Sequence, residues 1–364
     1  MITKSRECPL VSVCIPSYNS ESTIRETLDS VLAQDYPRLD IIVSDNQSTD
    51  KTRTIVEAYA REGVRYCFHQ AGRPAWAEKM PSFIGVFANW DFALSQAKGD
   101  FLCLFHSDDL YHPNIVSSEI DVMLAAPNVG AVFTQMEMIG DASHTIRMQP
   151  LPVPSKSKGI EIFNFGRLLD AIIANSNFLP TPSVMLRRSA LGGIGGFNER
   201  FFLTSADLEM WLRIAQNGHD IARVNRKLLR YRISERQFSA QYNKLRTTPT
   251  DIFKVLDYFL KEKNGTQWAN KRSLRQYEVR RSVDYISCSV NLLVLKRNSE
   301  ARSLLIRSMR PGVLATAAYS PRRVMQMILG ALLLVVTYVG FARLLAETAK
   351  RSFRAYARLR LIPV

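Results

Sequence analysis

Gly99-Asp100-Phe101-Leu102-Cys103-Leu104-Phe105-His106-Ser107-Asp108-Asp109 is the stretch on which the fold turns. Five apolar residues in a row, punctuated by Gly-Asp in front and polar residues behind, have the length of a strand buried on both faces. Such a strand delivers Asp108 and Asp109 to its carboxyl end, where the ligands of open α/β sheets gather. Two ionised carboxylates side by side repel each other, and a cation relieves the conflict. Mg²⁺ or Mn²⁺, held by one or two carboxylates and by substrate phosphates, suits such a pair. The stretch alone also admits a plainer reading, in which the acids sit in a solvated loop and cap a helix beginning near His112-Pro113-Asn114.

The same rhythm continues on either side. Leu10-Val11-Ser12-Val13-Cys14-Ile15 reads as a strand ending at Pro16, and residues 20–33 carry helical spacing through Ile24, Leu28, Val31 and Leu32. Asp40-Ile41-Ile42-Val43-Ser44 is the next strand, and Asp50 can cap a helix bearing Ile55, Val56 and Tyr59. Residues 64–68 and 129–134 read as further strands, 86–96 as a helix, and proline-rich 150–154 as a loop or flap. Strand–helix alternation with near-continuous apolar strands predicts a mostly parallel sheet covered on both faces.

The chain has 364 residues, of which 46% are hydrophobic and 22% charged, as expected of a folded protein with about two domains. Its net charge of +15 is unevenly spread: residues 1–220 carry −6 and residues 221–364 carry +21. An acidic front and a basic back point to two different tasks, the second at a polyanion or an anionic surface. The five cysteines have no metal-ligand spacing, and their odd count fits a reducing compartment. Residues 10–16 are too short for a signal-peptide core, so a cytoplasmic location is expected.

Beyond residue 239 helical patterns take over, at 250–263, 273–296 and 299–309, with basic faces. Residues 324–342 are 19 in a row without a formal charge, a helix of about 28 Å against a bilayer core of ~30 Å. Basic residues on both flanks weigh against a crossing. The following stretch places Leu345, Ala349, Ser352, Tyr356 and Leu359 on one helical face and Arg343, Lys350, Arg354 and Arg358 on another. That is the pattern of a helix lying in an anionic membrane surface; a buried core helix is the other reading of 324–342. The expected organisation is a catalytic domain over 1–238, a basic helical region over 239–323 and a membrane-associating segment over 324–364.

Four segments fall at expected strand ends: Pro16-Ser17-Tyr18-Asn19, Asp45-Asn46-Gln47-Ser48-Thr49-Asp50, Ser107-Asp108-Asp109, and Gly195-Gly196-Phe197-Asn198-Glu199 with Ala206-Asp207-Leu208-Glu209-Met210-Trp211-Leu212-Arg213. In order and spacing over residues 10–235 they resemble the inverting family 2 glycosyltransferases. The resemblance implies the GT-A nucleotide-diphospho-sugar transferase fold, α/β and Rossmann-like, with a C-terminal helical region. It implies a nucleotide sugar as donor, with Pro16 and Tyr18 in the base pocket, Asp45 and Asn46 at the base and ribose, Asp108 at the ribose and Asp109 on the metal. Asp207 would be the general base, with Glu209 a weaker candidate and Trp211 packing. Arg232, within Arg230-Tyr231-Arg232-Ile233-Ser234, would contact the diphosphate, and Asn89-Trp90 would be structural. Three positions depart from the family pattern: Asn46 where an aspartate is usual, Ala206 where an acid often precedes the base, and Ser234 where a histidine is usual. His69, His106 and His112 are not expected to form a metal cluster.

The acceptor implied is a saccharide or lipid-linked saccharide of a cell-surface polysaccharide pathway, met at the cytoplasmic face of the inner membrane. A nucleotidyltransferase is the competing enzyme class, but residues 16–20 lack its glycine- and basic-rich loop. A non-catalytic membrane- or nucleic-acid-binding protein rests on the basic back half alone. No nucleic-acid motif accompanies that charge, so nucleic acid is not expected as a partner.

Overall fold

The computed structural model describes residues 8–70, 85–140, 159–234, 246–263, 265–310, 312–313 and 321–339. The proline-rich 150–154 segment, most of the 236–250 linker and the amphipathic stretch beyond 340 lie outside the described residues. The chain divides into two compact units, one of Met1–Ile146, Pro154–Leu168 and Asn177–Ser234, the other of Arg147–Val153, Leu169–Ser176 and Glu235–Val364.

The first unit is built on β1 (Val11–Ser17), β2 (Leu39–Asp45), β3 (Arg65–Phe68) and β4 (Phe101–Leu104), set in the order β3-β2-β1-β4 with every pairing parallel. All seven residues of β1 and all four of β4 are buried, which is why their sequences run apolar without alternating. Gly99 stands where the chain enters β4, and a side chain there would meet the Leu10 carbonyl oxygen at 2.4 Å, so only glycine fits. The sheet continues through β8 (Val184–Arg187), β6 (Val129–Ile139), β9 (Asp220–Arg232) and β5 (Leu110–Tyr111), with β7 (Ile160–Phe163) also paired to β9. In this half β8 runs antiparallel to β4 and β6, whereas β6 and β9 are parallel. The result is a mixed sheet whose β1, β4, β6 and β9 all end at one edge, the edge at which β8 begins.

Helices α1 (Ile24–Leu32), α2 (Thr52–Ala58), α3 (Val86–Ser95) and α4 (Ile115–Ala125) link the early strands, and α5 (Phe165–Asn175) follows β7. The short helices α6 (Arg188–Leu191) and α7 (Glu199–Phe202) lead into α8 (Ala206–Gln216). On α1, Ile24, Leu28 and Val31 repeat every three to four residues and are fully buried. Each such side chain contributes roughly 1.5–3 kcal/mol on leaving water, enough to seat the helix on the sheet.

The second unit is helical: α9 (Ile252–Asp257) running into a π-turn at Tyr258–Glu262, α10 (Lys271–Val294), α11 (Asn298–Ser308) and α12 (Pro321–Val339). Asn270 caps α10, its side chain accepting from the Ser273 amide at 2.8 Å. Val279, Ile286, Leu293, Leu305, Met327 and Leu333 form its core. Residues 324–339 of the uncharged segment therefore lie in a helix packed on one face. The opposite face carries Met325, Ile328, Leu332, Val335 and Tyr338, each more than half exposed. No helix among the described residues is long and apolar enough to cross a membrane.

Candidate active site

Register brings the strand-end segments together. Ser17 pairs with Asp45 across β1 and β2, and Cys14 with Leu104 across β1 and β4, which sets Ser107-Asp108-Asp109 level with both. Asp45 is 1% exposed; one carboxylate oxygen accepts from the Ser48 amide and hydroxyl (3.0 and 2.5 Å) and the other from the Tyr66 hydroxyl (2.6 Å). Burial and the adjoining Asp45 carboxylate push the Tyr66 hydroxyl well up, so it stays a donor. Asn46 is half-buried, its amide bonded to the Ser17 carbonyl at 2.9 Å and its side chain 3.1 Å from His69 Nδ1. Pro16 is buried inside β1, and Tyr18 just past it is 57% exposed at the edge. Asn89 ties the first two strand ends by donating to the Ser17 and Ser44 carbonyls at 3.5 and 3.1 Å and accepting from the Ser44 hydroxyl at 2.5 Å.

The third segment is fastened from α1. Thr23 and Thr27 donate hydroxyl bonds to the Ser107 and Asp109 carbonyls (both 2.9 Å), and the Ser20 and Ser107 hydroxyls are 2.8 Å apart. Asp109 is fully buried; one oxygen accepts from the Arg232 amide at 2.8 Å, and Oδ2 has no partner. Burial, reinforced by the charge of Asp108, raises the Asp109 carboxyl well above the carboxylate range. Among the described residues, ligand atoms of His106, Asp108 and Asp109 lie within 4.8 Å of one another. His69 and His112 are not part of this group, and His106 joins it beside two aspartates rather than other histidines; burial, with Trp90 5.0 Å away between ring centroids, lowers this imidazole to about 4 and keeps it neutral.

Arg232 closes β9 at the same edge, and its side chain is 3% exposed. Its guanidinium donates to Glu26 (2.7 Å), the Asp108 carbonyl (2.7 Å) and the Gly140 carbonyl (3.2 Å). The structure aims it inward, at the frame under the carboxylates.

Asp207 opens α8, far along the chain, and reaches this edge through Thr181. Because β8 runs antiparallel to β4, with Val184 opposite Leu104, the turn at Thr181–Ser183 lies where β4 ends. The Thr181 hydroxyl donates to Asp207 at 2.7 Å, the Leu208 amide to its other oxygen at 2.7 Å, and burial raises its carboxyl. Glu209, 2% exposed, is taken by the Arg213 guanidinium at 2.9 and 3.0 Å, and Arg213 also donates to the Ile194, Gly195 and Gly196 carbonyls. Trp211 is fully buried against Phe133 and Phe197, in keeping with a packing role. Sequence reading also passed over Thr181, Tyr66 and Asp91. The last is pushed up by burial to about 6 and accepts from the Phe197 amide at 3.1 and 3.2 Å. None of these three carries a motif; only the fold shows what each holds.

The model of glycosyl transferase family 2 matches residues 12–195. An uncharacterized glycosyltransferase of Rickettsia typhi is 30% identical over 207 residues, 56% of this chain and 58% of its own length, so this chain spans little more than half of that relative. TuaG of Bacillus subtilis, whose name assigns it to teichuronic acid biosynthesis as a glycosyltransferase, is 26% identical over 236 residues, 64% of this chain and 82% of TuaG. The crystal structure of S. aureus TarS 1-349 in complex with UDP-GlcNAc has the same fold, with a TM-score of 0.57 at 18% identity over 94% of this chain and 92% of that chain. Strand ends, sheet order and the family match agree, and the chain is a member of glycosyl transferase family 2.

Proposed function

We propose that the chain transfers a sugar from a nucleotide-diphospho-sugar to an acceptor hydroxyl with inversion, in a divalent-metal-dependent reaction. The observation that carries the metal is Asp109: a fully buried carboxylate, one oxygen without a partner, beside a second carboxylate. A carboxylate so placed is costly unless a cation completes it. Mn²⁺ or Mg²⁺ bound there by Asp109 and Asp108 would neutralise charge on the departing nucleoside diphosphate. Tyr18, Pro16, Asp45 and Asn46 frame the base and ribose, and Asp108, expected at the ribose, we assign to the metal with Asp109, because the oxygens of the two lie in one cluster. Arg232 we assign to positioning rather than to the diphosphate, because its donors hold Glu26 and the Asp108 carbonyl.

Asp207 is the base. It accepts the acceptor's hydroxyl proton as the oxygen attacks the anomeric carbon from the face opposite the breaking bond. The Thr181 and Leu208 donors orient it, and its raised carboxyl moves the acidic limb of activity upward from the ordinary carboxylate range. Family membership sets aside the nucleotidyltransferase reading. The UDP-GlcNAc complex of the TarS neighbour and the name of TuaG support a nucleotide-sugar donor and a saccharide or lipid-linked acceptor of the cell surface. The exposed apolar stripe of α12 and the basic back half support work at the cytoplasmic face of a membrane.

A panel of sugar nucleotides with Mn²⁺ or Mg²⁺, read by thermal stabilisation and by donor hydrolysis, tests this reading. Asp109→Asn is expected to abolish metal-dependent stabilisation. Asp207→Asn is expected to retain donor binding and lose ~10²–10⁴ in transfer rate. Metal-dependent binding unchanged in the first variant, or near-normal transfer in the second, overturns the corresponding assignment.

A further inference from the structure

Imidazole nitrogen is an unusual neighbour for a carboxylate pair that holds a hard ion, and here its place is fixed. The Tyr111 hydroxyl accepts from the His106 amide at 2.6 Å and donates to the His106 carbonyl at 3.2 Å, clamping that peptide from one side. Trp90 walls the ring on the other. One ring nitrogen and one oxygen from each aspartate lie within 4.8 Å of one another. Donors sharing an ion at about 2.1 Å stand about 3–4 Å apart, so small side-chain rotations close the cluster. Asp109 Oδ2 and His106 Nε2 are both enclosed, and neither has a partner.

We propose that His106 ligates the divalent cation beside Asp108 and Asp109, making a mixed nitrogen–oxygen centre that selects Mn²⁺ or Co²⁺ over Mg²⁺. The inference rests on the reading of the aspartate pair as metal-holding. Its chemistry is general: Mg²⁺ takes oxygen donors almost exclusively and keeps its waters, whereas affinity for imidazole rises along the first transition row. A site of carboxylates alone offers little to separate Mn²⁺ from Mg²⁺; one added imidazole does.

The full chain with UDP provides the test, by titrating Mn²⁺ and Mg²⁺ calorimetrically and recording ¹⁴N electron spin-echo modulation of bound Mn²⁺. Wild type is expected to show imidazole ¹⁴N modulation. His106→Gln and His106→Asn are expected to lose it, with Mn²⁺ binding weakened about tenfold or more and Mg²⁺ binding changed by less than about threefold. Using two variants of different reach guards against a local packing fault at Trp90. Bound Mn²⁺ without ¹⁴N modulation in wild type, or an unchanged Mn²⁺-to-Mg²⁺ affinity ratio in both variants, overturns the proposal. Asp109→Asn separates the two levels: if it abolishes metal binding while the His106 variants bind as wild type, only the imidazole ligand is wrong. Should Asp109→Asn bind as wild type, the metal reading falls as well.

Discussion

Glu119 lies on α4 with both carboxyl oxygens enclosed and without partners, among Ile115, Val116, Ile120 and Met123. Burial alone raises its carboxyl well above the ordinary range, so it is folded as the neutral acid. The sign of its pH effect follows. The folded state keeps a proton that the unfolded chain releases above about pH 4.3, so stability is full below that pH and falls as pH rises, by about 1.4 kcal/mol per unit, until the folded carboxyl itself titrates. Glu119→Met has the shape without the acid. Its stability advantage over wild type, from urea melts, is expected to widen between pH 5 and pH 8. A constant advantage across that range removes Glu119 as the source.

Elements differ in how openly the sequence declares them. Strands β1, β2 and β4 are legible because each holds an unbroken, buried apolar run, at 13–15, 41–43 and 101–104. Strand β9 is not: Asp220–Arg232 is studded with Arg223, Arg226, Lys227 and Arg230, and its pairing with β6 shifts register in three places, which breaks any period of two. The site divides the same way. Asp108 and Asp109 show themselves by standing at the end of a buried run, whereas Asp207 depends on Thr181, a contact 26 residues distant that no local pattern encodes. Arg232 stands at an informative position, yet only the fold reveals that its guanidinium faces inward.

Helix α8 is fixed by its own ion pair, and this too can be measured. Glu209 has a side chain 3% exposed, and Arg213 joins it to the loop that precedes α7. That loop is tight: a side chain on Gly196 would come within 2.3 Å of the Asp91 carboxylate. Arg213→Met strands a buried carboxylate and is expected to cost ~3–5 kcal/mol. Glu209→Leu with Arg213→Met removes both charges and is expected to recover most of that loss. Thermal unfolding of wild type, single and double variants gives the coupling directly, and additive losses would argue against the pair as the anchor.

At the scale of the whole chain, the uneven charge and α12 belong to one argument. Residues 221–364 carry +21, and α12 sets Met325, Ile328, Leu332, Val335 and Tyr338 in a stripe at spacings of three and four, 71%, 54%, 52%, 62% and 65% exposed. The opposite side of the helix is held by Met327 and Leu333 in the core of the second unit, so the stripe is presented rather than swallowed. An apolar stripe in a strongly basic half suits an anionic lipid surface, where the stripe would enter the acyl boundary and each basic residue near the headgroups would add about 1 kcal/mol. Converting Ile328, Leu332 and Val335 to Ser together removes three aliphatic side chains, each worth roughly 1.5–3 kcal/mol when fully buried. Partial insertion already exceeds the ~1.4 kcal/mol that separates a tenfold change in binding. Flotation of the full chain with phosphatidylglycerol-containing vesicles is therefore expected to fall about tenfold or more in the triple variant, and to weaken in wild type as salt rises. Vesicles of phosphatidylcholine alone should capture less of the wild type, because they offer the stripe a place but give the basic residues no partner. Equal flotation of wild type and triple variant on anionic vesicles would remove α12 from the membrane contact.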